Sequence, residues 1–398
     1  MPKFDPSAND DFCLRICSQE KRFRVVEHPN AAGMPHAMEG AKATVFRVKN
    51  LDTREDHYAL KLMKKLHRIP YLEELCTKLD ALKELPGLVV CERRCLSPSV
   101  AQETIDQLYN LKYSILMPWV AGQSWFDVLH LGKKGKSLFS KSQAMQLASN
   151  LAQILSGLEQ RGIAHCDLSA GNAIIDPGKL QIELIDVEEI YAPGFQEPLF
   201  NLMGTPGYQH RTSKHGQWRR KGDRFAGAIM IAEMLGWYDY DVRTSSYGES
   251  YFDQREVQST QCQRFSILHK AISGHHPELA NLLQKAWDST SLDDCPSMHE
   301  WDRALKQAKE NQPIREVRAS SSIGTTFSPF WANPAPESDE PENKNVIWVT
   351  EQGTKTRETR PAQPNVMPES GPQSISQKLF EWVKSVADLD EKENGKTR

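Results

Sequence analysis

The feature that most constrains this chain is a short polar run, His165-Cys166-Asp167-Leu168-Ser169-Ala170-Gly171-Asn172. It sits between a long helical pattern and the apolar segment Ala173-Ile174-Ile175. An Asp and an Asn five residues apart on a tight loop can serve a single site. The carboxylate can orient a hydroxyl and accept its proton, and the amide oxygen can ligate a cation. Fourteen residues after Asn172, Leu184-Ile185-Asp186-Val187 brings a second carboxylate to the end of an apolar strand. Mg2+ favours one or two carboxylates together with substrate phosphate oxygens, so Asp186 and Asn172 form a chemically sensible pair. Taken singly, each of these residues also reads as a turn-forming Asx residue.

The flanking patterns predict what holds this run. Ala43–Val48 and His57–Met63 alternate apolar and polar residues around a polar turn, a hairpin signal. Leu72, Leu75, Leu79 and Leu82 lie on one helical face, with Pro86-Gly87 as the expected stop. Tyr113–Met117 reads as a short strand. Ser140 and Gln143 make a capping box for a helix with Ala144, Leu147, Leu151, Ile154, Leu155 and Leu158 inward, closed by Gly162. Asp223–Gly236 is apolar almost all round and predicts a buried helix. A strand-rich part thus precedes a larger helical part, and a cleft between two such parts is a usual home for a small ligand.

Toward the ends the character changes. Residues 1–20 are expected to be poorly ordered. Residues 311–398 are rich in Pro, Ser and Glu and predict a disordered tail. A short amphipathic helix is expected over 376–389, with Leu379, Phe380, Val383 and Ala387 on one stripe, and a partner could dock on it. The net charge of −3 argues against nucleic acid as a partner. No apolar run approaches the roughly 18 residues of a membrane span, and the acidic N-terminus has no leader-like apolar core. A cytoplasmic address is the expectation. The eight Cys are sparse for this length and predict reduced, mostly buried thiols rather than a disulfide framework; zinc at the Cys13/Cys17 and Cys91/Cys95 pairs is the weaker reading.

Taken together, the motifs resemble the protein-kinase family over about Glu39 to Leu305. The loop pattern H-x-D-x-x-x-x-N is complete, Tyr58-Ala59-Leu60-Lys61 is similar to the V-A-x-K strand, and Gly204-Thr205-Pro206-Gly207-Tyr208 matches G-T-P-x-Y. The resemblance implies an α+β, bilobal fold. It would have a small antiparallel-sheet N-lobe with one helix and the hinge over 21–120, and a larger helical C-lobe over 121–310. It implies that ATP and Mg2+ are the cofactors. Asp167 would position the acceptor hydroxyl, Lys61 would meet the α- and β-phosphates, and Asn172 and Asp186 would hold the metal. Thr205 would bond near Asp167. Gly40, Val45, Ala59, Met117, Pro118 and Val120 would surround the nucleotide, with Pro118 offering a carbonyl and Val120 an N–H to adenine. Asp223 would brace the catalytic loop through backbone N–H groups. The acceptor would be a Ser or Thr of a protein substrate.

The chain also departs from that family. Cys166 replaces the Arg that receives an activating phosphate, and 187–203 contains no Ser or Thr. The expectation is an atypical kinase, more bacterial than eukaryotic in pattern, that is not gated by loop phosphorylation. Asp186-Val187-Glu188 replaces Asp-Phe-Gly, adding Glu188 and Glu189 beside the metal carboxylate. Thr212 falls where a Glu usually ends the segment, and Cys295-Pro296-Ser297 lacks that Glu's usual Arg partner. Ser169 replaces a lysine that touches the γ-phosphate. Glu73 and Glu74 are candidate partners for Lys61, with Glu74 preferred. Arg211, Lys214, Arg219, Arg220, Lys221 and Arg224 form a basic run that reads as a solvated face or as a selector of acidic peptides. Two alternatives stay open: a kinase with a small-molecule or other non-protein acceptor, and a nucleotide-binding pseudokinase that acts as a scaffold.

Overall fold

A computed structural model describes residues 2–310 apart from 54–55, 137, 199–202, 214–216 and 275. The expected tail at 311–398, its helix over 376–389 and Lys214 of the basic run lie outside the described residues. The fold is mixed α/β, with a curled antiparallel sheet followed by helices, and is compatible with a bilobal kinase-like arrangement.

The first part is built on strands β1 (Asp11–Ile16), β2 (Gln19–Val25), β5 (Ala37–Glu39), β6 (Ala43–Asn50), β7 (His57–Met63), β8 (Arg94–Cys95) and β9 (Ile115–Pro118). They form one sheet in the order β1-β2-β6-β7-β9-β8, with β5 paired to β6. A short hairpin, β3 (Glu27–His28) with β4 (Ala31–Pro35), leads into β5. The β6–β7 hairpin pairs Ala43 with Met63 through Lys49 with His57, as the alternation of the two segments predicts. Helix α1 (Tyr71–Asp80) buries Leu72, Leu75, Cys76 and Leu79. It stops at Asp80, earlier than Pro86, and Leu82 packs on the core from the turns that follow.

The expectation that residues 1–20 are poorly ordered is corrected. β1 and β2 form a hairpin closed by Cys17 and Ser18, both at positive φ (50° and 63°), as a two-residue turn between twisted strands requires. Phe4 is buried, its ring 4.9 Å from that of Phe12 and 5.9 Å from that of Phe46. Its backbone is clamped by Asn110, which accepts from Phe4 N at 2.6 Å and donates to Phe4 O at 2.9 Å. These side chains, with α2 (Pro98–Gln107), make a second hydrophobic cluster on the sheet. The aromatic burial outweighs the ordering entropy of the N-terminal arm.

The second part opens with β10 (Gln123–Ser124), which pairs with β11 (Ala173–Asp176), itself paired with β12 (Gln181–Leu184). Helices α3 (Trp125–Lys133) and α4 (Lys141–Gln160) both start on capping boxes, Ser124 with Asp127 and Ser140 with Gln143. α5 (Arg224–Gly236) buries twelve of its thirteen residues, which is why its sequence is apolar all round. It packs among α4, α7 (Gln263–Ser273), α8 (Pro277–Asp288) and α9 (Met298–Glu310), with α6 (Tyr240–Ser245) against α3. No helix among the described residues is long and apolar enough to cross a membrane.

If the N-terminal arm is a packed part of the sheet, Phe4→Ala should cost about 3 kcal/mol. Denaturant unfolding checks this: an unchanged midpoint would mean that the arm contributes nothing to the core.

Candidate functional site

Register alone brings the sheet residues to one face. Directly opposed residues of an antiparallel pair share a face, and so do alternate residues along a strand. Val45 faces Lys61 across β6–β7, and Ala59 faces Met117 across β7–β9. Val45, Ala59, Lys61 and Met117 therefore form a patch, with Pro118 and Val120 following on the chain. Ala59 and Met117 are buried, and Val45, Pro118 and Val120 half-buried. Gly122, just beyond, lies at φ +147°, and a Cβ there would stand 2.4 Å from Ile175 O, so this connection requires glycine. Gly40 is in a different position: its N–H donates to Ala43 O at 2.8 Å, and a Cβ would meet only ordinary contact at 3.4 Å.

Lys61 is 7% exposed, and its ammonium reaches the loop after β12. It donates to Asp186 Oδ1 at 2.5 Å and to Glu188 Oε2 at 2.9 Å. Burial alone would depress the lysine, but the two carboxylates override it and hold Lys61 well above its ordinary range. Glu188 is held in turn by Arg93, whose Nη1 donates to Glu188 Oε1 at 2.9 Å from a fully buried side chain. Burial works against Glu188 ionisation, yet Lys61 and Arg93 keep its carboxyl far below the usual carboxylate range. Next to it, Glu189 pairs with Lys42, in the turn between Gly40 and β6.

The preference for Glu74 as the lysine's partner is corrected. Glu74 is half-exposed and pairs with Lys78 at 2.7 Å along its own helix, while Glu73 accepts from Ser99. The stripe that buries Leu72, Leu75 and Leu79 leaves Glu74 exposed and Glu73 half-buried, and Lys61 pairs with Asp186 and Glu188 instead. Glu188 and Arg93 are the residues that sequence reasoning missed. The extra acid after Asp186 was a visible signal, but nothing in the chain marked Arg93.

The His165–Asn172 run gathers around Asp167. Thr205 Oγ1 donates to Asp167 Oδ1 at 3.1 Å, and Asn172 Nδ2 donates to Asp167 O at 2.8 Å. Asn172 O accepts from Ile185 N at 2.9 Å, which ties the loop to the strand end carrying Asp186. Burial raises the Asp167 carboxyl above its ordinary value, with Asp186 adding and His165 and Thr205 opposing. Two residues here adopt the left-handed region, Cys166 at φ 64° and Asp186 at φ 61°. Asp tolerates that conformation and Cys rarely adopts it, so the loop around Cys166 has to be held from outside. Asp223 does this, accepting from His165 N at 2.5 Å and from Cys166 N at 2.8 Å. Gln217 Nε2 adds a bond to Cys166 O at 2.8 Å. The Cys166 thiol is buried and pushed up by desolvation, so it is an inert packing group.

The segment after Thr205 hangs on a buried carboxylate. Glu233, on α5, accepts from Tyr208 OH at 2.8 Å, Trp125 Nε1 at 2.7 Å and Tyr251 N at 3.1 Å. Gly207, at φ +89°, lets Ser250 pack where a Cβ would stand, 2.0 Å from its Oγ. Farther on, His210 Nε2 meets Ser289 Oγ at 3.1 Å, a neutral link between this segment and the region before Cys295. Of the described cations of the basic run, Arg224 is mostly buried, Arg211 is exposed, and Arg219 and Lys221 pair at the surface. Lys221 pairs with Asp293 at 2.6 Å and Arg219 with the same residue at 3.7 Å; Arg224 pairs with Glu159 at 2.5 Å, and Arg211 donates to Trp287 O at 3.3 Å. Arg220 is exposed.

No protein-family model matches the chain. The chain is 25% identical over 214 residues to the serine/threonine-protein kinase STY46 of Arabidopsis thaliana, a stretch that covers 53% of this chain and 34% of that protein. The chain thus spans about a third of the length of the relative it matches. This similarity supports a kinase-like relationship.

Desolvation lifts the Glu233 carboxyl from an ordinary 4.5 to about 7 despite its three donors. A folded-state value above the unfolded one means that the native state binds more protons between these limits. The stability linked to Glu233 is therefore fully present below pH 4.5 and lost as the pH rises through about 7. Denaturation midpoints measured from pH 5 to 8 should fall more steeply for the wild type than for Glu233→Gln; parallel profiles would contradict the assignment.

Proposed function

We propose that this chain is an ATP-dependent phosphotransferase of bilobal kinase-like fold that transfers the γ-phosphate of MgATP to Ser or Thr hydroxyls of protein substrates. The observation that carries this reading is the convergence on one locus of Lys61, from β7, with Asp167, Asn172 and Asp186, from a single stretch more than a hundred residues later.

The donor set suits the cofactors. Asp186 and the Asn172 amide supply hard oxygens of the kind Mg2+ takes, and Asn172 already spends its Nδ2 on Asp167 O, so its oxygen is the end left for a cation. When bound, MgATP supplies the transferable phosphoryl group and the charge neutralisation that dominates such chemistry. The chain's own residues do the rest. Lys61 offers a fixed positive charge to phosphate oxygens. Val45, Ala59 and Met117 provide an apolar face for a purine ring, with Pro118 and Val120 as its edge. Asp167, with one oxygen on Thr205, orients an incoming hydroxyl and accepts its proton, and its raised pKa makes it a better base than an exposed Asp. Control by loop phosphorylation is not part of this reading, because Cys166 is buried under the Gln217–Arg219 backbone and offers no cation to a phosphate.

One observation favours a second reading. Ser169, buried in the loop, supplies no charge where protein kinases of this class carry a lysine, which suits a small-molecule acceptor. Incubation with MgATP and mass spectrometry separates the two. Phosphate on Ser or Thr of the chain itself or of a general protein substrate is expected, with Asp167→Asn reducing the rate at least 100-fold while nucleotide affinity stays within a few-fold. Turnover retained in Asp167→Asn, or phosphate found only on small acceptors, would overturn the proposal.

A further inference from the structure

We propose that Glu188, anchored by Arg93, is the positioning residue for Lys61 and takes the place of a carboxylate from helix α1. This inference rests on the phosphotransfer reading and identifies how the charge on Lys61 is held.

The geometry is a relay from backbone to ammonium. Arg93 Nε donates to Val90 O at 2.8 Å, Arg93 Nη1 donates to Glu188 Oε1, and Lys61 donates to Glu188 Oε2, the last two both at 2.9 Å. Arg93 comes from the short connection before β8, a part of the core that α1 packs on. Glu188 lies two residues after Asp186, in a one-turn helix over Val187–Glu189. Each oxygen of Glu188 thus has its own cation, and neither cation is exposed beyond a tenth of its side chain.

The charge count explains why two carboxylates surround one lysine. Lys61, Arg93, Asp186 and Glu188 together are neutral; the first two and Glu188 are mostly buried, and Asp186 is partly exposed. If Asp186 is given over to a cation, Lys61 keeps Glu188, stays in place and acquires a net positive charge shared with Arg93. A lysine whose only partner was Asp186 would lose its anchor at that moment. Because Glu188 travels with Asp186 on the same turn, the lysine and the metal carboxylate are assembled together, and no swing of α1 is needed to complete the site. Glu73 and Glu74, occupied by Ser99 and Lys78, are dispensable to it.

The test measures nucleotide affinity by calorimetry with MgADP, and the reactivity of Lys61 toward an amine-acylating reagent by mass spectrometry in nucleotide-free protein. Glu188→Gln is expected to weaken MgADP at least tenfold and to speed Lys61 acylation severalfold. Steady-state kinetics should show the loss mainly in KM for ATP. Because Glu188→Gln leaves Arg93 unpaired and could unfold the chain, the double variant Glu188→Gln with Arg93→Met is measured beside it and should show the same loss. Arg93→Lys should restore part of what Arg93→Met removes. Glu73→Gln and Glu74→Gln should stay within twofold of the wild type. Wild-type affinity and Lys61 reactivity in the double variant, or a tenfold loss in Glu74→Gln, would overturn the assignment. If the wild type binds no nucleotide, the phosphotransfer reading fails, and Lys61 acylation still decides whether Glu188 fixes the lysine.

Discussion

The arrangement around the site depends on one buried ionic group. An ammonium removed from water is tolerated only where carboxylates replace its hydration, and Lys61 is nearly fully buried. Asp186 and Glu188 supply that replacement, and they lie on the loop after β12, whereas Lys61 lies in the middle of the main sheet. The ion pairs therefore fix the distance between the sheet and the loop as well as the charge of the lysine. Arg93 extends the group to the connection before β8 and keeps Glu188 from being a surplus buried acid. The pair of Lys42 with Glu189 repeats the link closer to the turn after β5. The loop that would hold a cation is thus also the loop on which the strand-rich part rests.

Around Asp167 the stabilising forces are different. Here the backbone is bent into the left-handed region at Cys166, and its N–H and C=O groups are satisfied by side chains from elsewhere, Asp223 and Gln217. An unsatisfied buried backbone group costs about as much as a lost hydrogen bond. The bend is consequently as firm as the attachment of those two side chains. Asp223 leads directly into α5, the most completely buried of the described helices, and Glu233 on the same helix holds Tyr208. One helix thus braces both the loop carrying Asp167 and the segment carrying Thr205. That common support is what keeps Asp167 and the Thr205 hydroxyl at hydrogen-bond distance.

Where an expected ion pair is missing, the packing has been rebuilt around other partners. Thr212 and Cys295 carry no charge, and the neutral His210–Ser289 contact joins the same two regions. Arg224 and Glu159 supply the ionic link instead, with Met298 N donating to Glu159 at 2.8 Å and Arg224 donating to Cys295 O at 3.3 Å. Of the described basic run, Arg224 alone is drawn into a mostly buried pair by this arrangement. Arg219 and Lys221 share Asp293 at the surface, and Arg211 and Arg220 stay exposed.

Much of this could be read from local patterns, because the interactions that decide them are local. The β6–β7 hairpin, the capping box of α4 and the all-apolar α5 follow from periodicity and from side chains within a few residues of the backbone they satisfy. The spacing of Asp167, Asn172 and Asp186 likewise survives folding, since one short stretch of chain carries all three. The alternation of Phe12, Leu14 and Ile16 was present too, but the strand it forms is packed by Phe4, by Phe23 across the hairpin and by Phe46 from β6. Which of the neighbouring acids would hold Lys61 beside Asp186 was not decided by the sequence. Two acids on α1 and two after Asp186 look equivalent as letters, and the choice between them is made by which face of α1 is apolar and by where Arg93 arrives. Both are properties of the packed core: electrostatic pairing depends on distance and dielectric, and neither exists before the chain has folded.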